Sequence, residues 1–431
     1  MLSALILSLF ALQDRPVIRE VRSIIGPVAR SGCWLPLKVR VAGSSAFEGE
    51  IAASSDSGFE VTRPIRLAAG GSVEVLLPVV VLGAGAKVEV RLRGAGGELD
   101  RKILPGQIEL LDRERLVLLD KDHPEAEAYR SQEIELPDNT PVRFVLSDPA
   151  DWNEAAELGV LESVDAVVVR DQVAIDLSMT LWRTLGGAIV TNPRRDLGNK
   201  LKEPGGRFES VDARVAGLVR KDPWIHSKRD AAILFFVVYA FAIFVVTFAT
   251  WRRGGGGWTL VTSLVGISIL FVGAYAAFFP KGDLAITVWQ AVVDAPEGGA
   301  AVTVAELRSG RQAPRDVVFG RLVKPVSASP AEASGRLLEL RLGEGGSCTV
   351  RTAGIPGSLR FVWTERAPRS APGPTSRIDT EVSEYFKRVA RTARQARIVN
   401  QPLETGFPPA VKAEGLVEAR AVVVLRIDLV R

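Results

Sequence analysis

Hydrophobic patterning is strongest in the middle of the chain, where two apolar runs, Ala231 to Trp251 and Trp258 to Phe279, are separated only by Arg252, Arg253 and four glycines. Each run carries no charge over about 20 positions, and a helix rising about 1.5 Å per residue then crosses a hydrocarbon core of about 30 Å. A buried helix of a soluble protein would carry a polar stripe, which these runs lack. The pattern predicts a two-helix transmembrane hairpin over 231–279. Trp251, Arg252, Arg253 and Trp258 fall at the expected membrane interface, whereas Tyr239 lies deeper.

Either side of the hairpin the period changes. Over 14–111, seven short segments with period-2 stretches are divided by Gly, Ser and Pro turns: VIREVRSII, WLPLKVRVAG, FEGEIAAS, FEVTRPIRL, SVEVLLPVVV, KVEVRLRG and ELDRKILP. That spacing predicts a β-sandwich of immunoglobulin-like size. Over 112–222 the apolar runs RLVLLD, VRFVLSD, VDAVVVRD and GAIVTN each end in polar residues, as buried parallel strands do. A helical pattern, VAIDLSMTLWRTLGG, joins the last two and closes on Gly186–Gly187. This stretch predicts a small doubly wound, flavodoxin-like α/β domain. Residues 283–431 again read as strands, forming a mostly-β C-terminal domain. A Pro/Ser-rich linker, APRSAPGPTS, interrupts it before the segment DTEVSEYFKRVARTARQAR. There Val382, Tyr385, Phe386, Val389, Ala393 and Ala396 share one helical face and Lys387, Arg388, Arg391 and Arg394 crowd the rest. A solvated basic face is the simpler account of that helix, and contact with anionic lipid the alternative.

Residues 1–13, opening MLSALILSLFAL, form an apolar segment of signal-peptide length, read as a signal or N-terminal anchor. No Lys or Arg precedes it and no clear small-x-small site follows, so cleavage stays open. If the segment directs the chain outward, both polar regions lie outside and the Arg252–Arg253 turn inside, in keeping with the positive-inside rule. A net charge of +4 over 431 residues is too small to imply nucleic acid. The two cysteines, Cys33 and Cys348, lie on opposite sides of the hairpin, and two unpaired buried thiols are the expectation. Neither a CxxC nor a Cys/His cluster is present, which argues against zinc and haem.

The segments GCWLPLKVRV and FEGEI, then VDAVVV, then LWRTLGGAIV, then two apolar helices, resemble a group of uncharacterised bacterial envelope proteins over residues 16–280. In that group a β-sandwich precedes a class I glutamine amidotransferase-like domain and two transmembrane helices. The resemblance implies a bacterial inner-membrane protein with its N- and C-terminal domains in the periplasm. It carries no catalytic residue.

Amidotransferase chemistry needs a cysteine nucleophile with a histidine base. No cysteine lies between Trp34 and Ser347, so His123 has no partner, and neither Ser147 nor Ser178 sits in a GxSxG elbow. The carboxyl ends of α/β strands form the ligand edge of such sheets, and Asp120, Asp122, Asp148, Asp151, Arg170, Asp171 and Asn192 fall there. Helix capping is the simpler account of the aspartates, Asp148 preceding Pro149 and Asp171 preceding QVAIDL. A hard cation such as magnesium is the alternative. No GxGxxG or GxxxxGK[ST] is present to cradle phosphates, and no cofactor is expected. The expectation is therefore a non-catalytic envelope protein that binds membrane lipid and another envelope protein. Asp120, Asp148, Trp152, Arg170 and Asp171 form its candidate contact edge, although Trp152 also suits burial under the following helix. An accessory role in a transport complex and a metal-dependent hydrolase are the alternatives, and the oligomeric state is open.

Overall fold

The computed structural model describes residues 15–112, 114–130, 134–136, 139–170, 179–184, 187–193, 196–197, 201, 223–254, 256–278, 284–295, 298–309, 315–326, 338–352, 357–367, 395–401, 411–413 and 416–430. The first strands are β1 (Val17–Ser23), β2 (Val28–Ala29), β3 (Cys33–Ala42), β4 (Phe47–Ser54), β5 (Phe59–Leu67), β6 (Ser72–Val81), β7 (Glu89–Gly94), β8 (Gly97–Ile103) and β9 (Glu109–Leu110). Next come β10 (Arg115–Asp120), α1 (Ala126–Arg130), β11 (Ile134–Glu135), β12 (Pro141–Ser147), α2 (Pro149–Glu157), β13 (Ala166–Val168), α3 (Met179–Thr184) and β14 (Ala188–Val190). Two long helices follow, α4 (Pro223–Arg252) and α5 (Gly257–Phe278). The last strands are β15 (Leu284–Ala295), β16 (Gly298–Ser309), β17 (Arg315–Phe319), β18 (Lys324–Val326), β19 (Leu338–Leu342), β20 (Cys348–Thr352), β21 (Gly357–Ala367), β22 (Gln395–Gln401), β23 (Val411–Ala413) and β24 (Leu416–Val430).

The seven predicted N-terminal segments divide between two antiparallel sheets, β1-β3-β6 and β5-β4-β7-β8. Alternation places Leu37, Val39 and Val41 on the inner face of β3 and Val61, Ile65 and Leu67 on that of β5, in one shared core. Trp34 meets Phe59 edge-on across it, ring centres 6.2 Å apart.

β10, β12, β13 and β14 are parallel, in the order β12-β10-β13-β14, with β11 antiparallel at the edge. Both faces of this sheet are covered, which explains its continuous apolar strands. Val117, Leu119, Ala166, Val168 and Val190 pack with Tyr129 of α1 on one side. Leu116, Leu118, Val167 and Val169 face the other way, into the same core as the N-terminal sheets.

The regions before and after the long helices are not separate bodies. β19 pairs in parallel with β5, Leu338 level with Phe59 and Arg341 with Thr62, which extends the second sheet to β23-β17-β20-β19-β5-β4-β7-β8. The sequence pattern puts 14–111 and 283–431 in different domains because local periodicity carries no information about such a distant pairing. A further sheet, β18-β21-β16-β15-β24-β22, completes the mostly-β C-terminal region, and α3 packs on its β15 and β16. Most of the expected basic helix lies outside the described residues, as does the 1–13 segment, and the end of that helix, from Gln395, is the start of β22. Cys33 and Cys348 are buried and not disulfide-bonded, and burial pushes the Cys348 thiol up to about 12.

Candidate functional site

α4 and α5 are each long and apolar enough to cross a membrane, over Ile233–Arg252 and Gly257–Ala274, and neither span is buried by protein. Phe241, Phe244 and Ile269 are about two-thirds exposed, a surface that water would not tolerate on two neighbouring helices. The helices meet through Phe235, Tyr239 and Phe271, and the Tyr239 hydroxyl lies 3.0 Å from Ser268 Oγ. That bond explains a tyrosine deep in an apolar run, since a polar group there needs a partner. Thr247, Thr250 and Thr262 donate to the carbonyls of Ile243, Val246 and Trp258 one turn back, at 2.8, 2.6 and 3.0 Å. At the turn Gly254 adopts φ 63°, a left-handed close to α4 that favours glycine. Trp251 and Trp258 flank it, 77% and 83% exposed, beside the exposed Arg252 and Arg253.

At the strand-end edge of the parallel sheet, Asp148 is the N-cap of α2: its Oδ1 accepts from the Ala150 N–H at 3.0 Å and Pro149 follows at the first helical position. Its Oδ2 accepts from Lys121 Nζ at 2.6 Å. The Lys121 bond, then the Ala150 bond, hold the Asp148 carboxyl below its ordinary range, and Lys121 is raised in return. Asp120 is buried and accepts from the Asp122 N–H at 3.0 Å. His123 Nδ1 accepts from the Glu125 N–H at 3.2 Å, a local turn contact. Arg170 is exposed, and Asp171 lies outside the described residues.

Two expected members of this edge face elsewhere. Trp152 is 1% exposed and packs into the main core, because on α2 it shares the inner face with Ala155 and Ala156. It is no surface anchor. Asp151, grouped by sequence with the strand-end carboxylates, is turned toward β1 and β3, where Arg22 donates to it at 2.8 Å and Lys38 pairs with its other oxygen. Among the described residues no three His, Cys, Asp or Glu side chains stand together as a metal site.

Asp151 is one of several carboxylates by which the α/β unit grips its neighbours, Glu154 reaching Lys38 at 3.8 Å and Arg63 at 3.9 Å beside it, and sequence reasoning missed the rest. Asp165 accepts from Arg30 at 2.5 Å, Arg115 at 3.2 Å and the Leu116 N–H at 2.9 Å. Glu162 accepts from the Trp34 N–H at 2.6 Å and from Lys324, beyond the long helices, at 2.9 Å. Gly159, φ 74°, closes α2 with the paired bonds of a Schellman motif, Gly159 N–H to Ala156 and Val160 N–H to Ala155. A Cβ there would stand 2.9 Å from Thr364 Oγ1 of β21.

Residues 16–110 match the model of a family described as a domain of unknown function, DUF8726. No curated protein matches the chain. Among solved structures, the Pseudomonas fluorescens alkylpurine DNA glycosylase AlkC bound to DNA containing an abasic site analog is 12% identical, with a TM-score of 0.18. The match covers 25% of this chain and 33% of that one, and a likeness this slight carries no argument.

Proposed function

We propose that the chain is a membrane-anchored, non-catalytic envelope protein whose two polar regions form one body on the outer side of the membrane, where it binds or positions another envelope component. The observation that carries this reading is the β5–β19 pairing, which joins residues on the two sides of the hairpin in one sheet. Neighbouring strands of a sheet cannot lie across a bilayer from each other, so an even number of crossings separates them, as two spanning helices provide. The Glu162–Lys324 pair and the core common to both regions support the same arrangement.

The strand order β12-β10-β13-β14 is that of flavodoxin-like sheets, which supports an amidotransferase-like α/β unit. A non-catalytic role rests on the missing cysteine nucleophile and on the other use made of the edge carboxylates, Asp148 in capping and Asp151 in joining the sheets. The exposed Lys121, Asp122 and Arg170 of that edge, with the half-buried Asp148, are the proposed contact surface for a protein partner.

Cysteine labelling of intact cells tests the topology, since Cys33 and Cys348 are buried and give little background. Gly96→Cys and Gly320→Cys should label with an impermeant maleimide and Gly256→Cys should not. Opposite behaviour at 96 and 320 would overturn the single-sided body, and labelling at 256 alone would reverse the orientation. For the contact surface, Arg170→Ala should weaken cross-linking to neighbouring envelope proteins while leaving the melting temperature unchanged. Undiminished cross-linking would remove that edge from consideration.

A further inference from the structure

β19 follows β5 only as far as Thr62, level with Arg341. It then turns away through Gly343–Gly346, where Gly345 and Gly346 have φ of 67° and 78° and the Gly343 N–H donates to the Ser347 carbonyl at 2.8 Å. Among the described residues no strand takes its place beside Arg63–Leu67. The separation leaves a groove of about 670 Å³ over the ends of β19, β5, β4 and β7, a size that encloses a small ligand. Pro64 lies in the unpaired stretch. Proline has no N–H, so this edge is a poor template for an added strand, and recognition falls to side chains. Gly49 borders the groove, and a Cβ there would stand 2.2 Å from the Phe47 ring and 2.3 Å from the Arg93 carbonyl, so the close approach of β4 and β7 at this end requires glycine.

Arg63, Arg66, Arg93 and Arg341 line the groove against only two acids, Glu48 and Glu50. Two of the four are committed to the fold. Arg93 holds buried Glu60 with two bonds of 2.7 Å, and Arg63 donates to the Leu76 carbonyl at 3.0 Å. The other two are available. Arg66 pairs with Glu48 at 3.0 Å, but the side chains are 84% and 73% exposed, and an ion pair so wet is easily exchanged. Arg341 is exposed, and its side chain has no ion pair or hydrogen bond among the described residues.

We propose that this groove binds a small ligand through an oxyanion, a carboxylate or a phosphate, held between the guanidinium groups of Arg66 and Arg341. Guanidinium forks match the geometry of both oxyanions, while Arg93, neutralised by Glu60 and near Glu50, frames the groove. The site joins several strands from before the long helices to β19 from after them, so it exists only when the two regions are assembled.

Calorimetric titration of the detergent-solubilised full chain tests the proposal, with inorganic phosphate and glucuronate as probes and glucose as the uncharged control. At least one oxyanion should bind, and Arg341→Gln or Arg66→Gln should weaken it about tenfold or more. Arg101→Gln, an exposed arginine of the same sheet already held by Glu98, should leave binding unchanged. Binding of phosphate alone or glucuronate alone identifies the source of the oxyanion. Absence of binding by both, or equal weakening in all three variants, would overturn the site.

Discussion

Trp152 shows how a side chain's setting, more than its type, decides its role. Tryptophan near a strand-end edge suggests an anchor for a partner, yet this one lies in the core, where its indole N–H has no hydrogen-bond partner among the described residues. Trp152→Ala should therefore cost about 3–5 kcal/mol and lower the melting temperature markedly. Trp152→Phe should cost much less, because losing some volume is offset by removing a buried donor whose lack of a partner costs about 1–3 kcal/mol. Equal losses in the two variants would mean that the unpaired N–H is not a burden. Asp148 makes a different prediction, about pH. Its carboxyl is lowered in the fold by Lys121 and the Ala150 N–H, so folding favours the ionised form. That contribution is complete above the unfolded value of about 3.9 and fades as pH falls from there through the lower folded value. Asp148→Asn should keep the cap near neutrality and flatten this acid limb, whereas Asp148→Ala should lose about 1 kcal/mol at neutral pH. Melting curves between pH 7 and 3 distinguish the two. Since Asp148 and Lys121 are both partly solvated, the ion pair contributes less than the cap.

Elements with strong local patterns are the ones that a sequence shows best. Period-2 stretches mark strands such as β3, β5 and β7, whereas β6 is buried without a break from Val75 to Val81 and β8 has no buried residue. The continuous runs of β10 and β13 mark a sheet covered on both faces. The capped start of α2 is equally legible in Asp148–Pro149. What joins the elements is not legible, because Asp151, Glu162 and Asp165 find their partners far away in the chain and nothing in their own segments differs from a solvated acid. The sequence leaves Trp152 open between the contact edge and the core for the same reason: its position on α2 is clear, but the layer covering that helix is not. Glu162 gives this joint a measurable consequence. Lys324 is 8% exposed and Glu162 15%, so removing either charge leaves the other buried. Glu162→Gln or Lys324→Met alone should cost about 3–5 kcal/mol, and the two together should cost clearly less than their sum, since the amide oxygen can still accept from the Trp34 N–H. Additive losses in the double variant would show that the two side chains act independently.

For the whole molecule, one chain builds a sheet from both sides of its own pair of apolar helices, and the order of assembly follows from that. When residues 15–222 emerge first, β5 still lacks β19 along Phe59–Thr62, and the core still lacks Leu340, Val350 and Phe361, all 0% exposed in the finished fold. Open strand edges and uncovered apolar faces favour association with the wrong partner. A fragment of residues 15–222 should therefore melt well below the full chain and self-associate, even though strands β1 to β9 and the parallel sheet are all present. Co-expression with residues 223–431 should restore both the melting temperature and the monodisperse state, because the hairpin contributes location and the β5–β19 pairing contributes the fold. Size-exclusion chromatography and thermal unfolding of the fragment, alone and co-expressed, make the comparison. A fragment as stable and monodisperse as the full chain would show that the shared sheet adds no stability. The single-sided body would then rest on the labelling pattern alone.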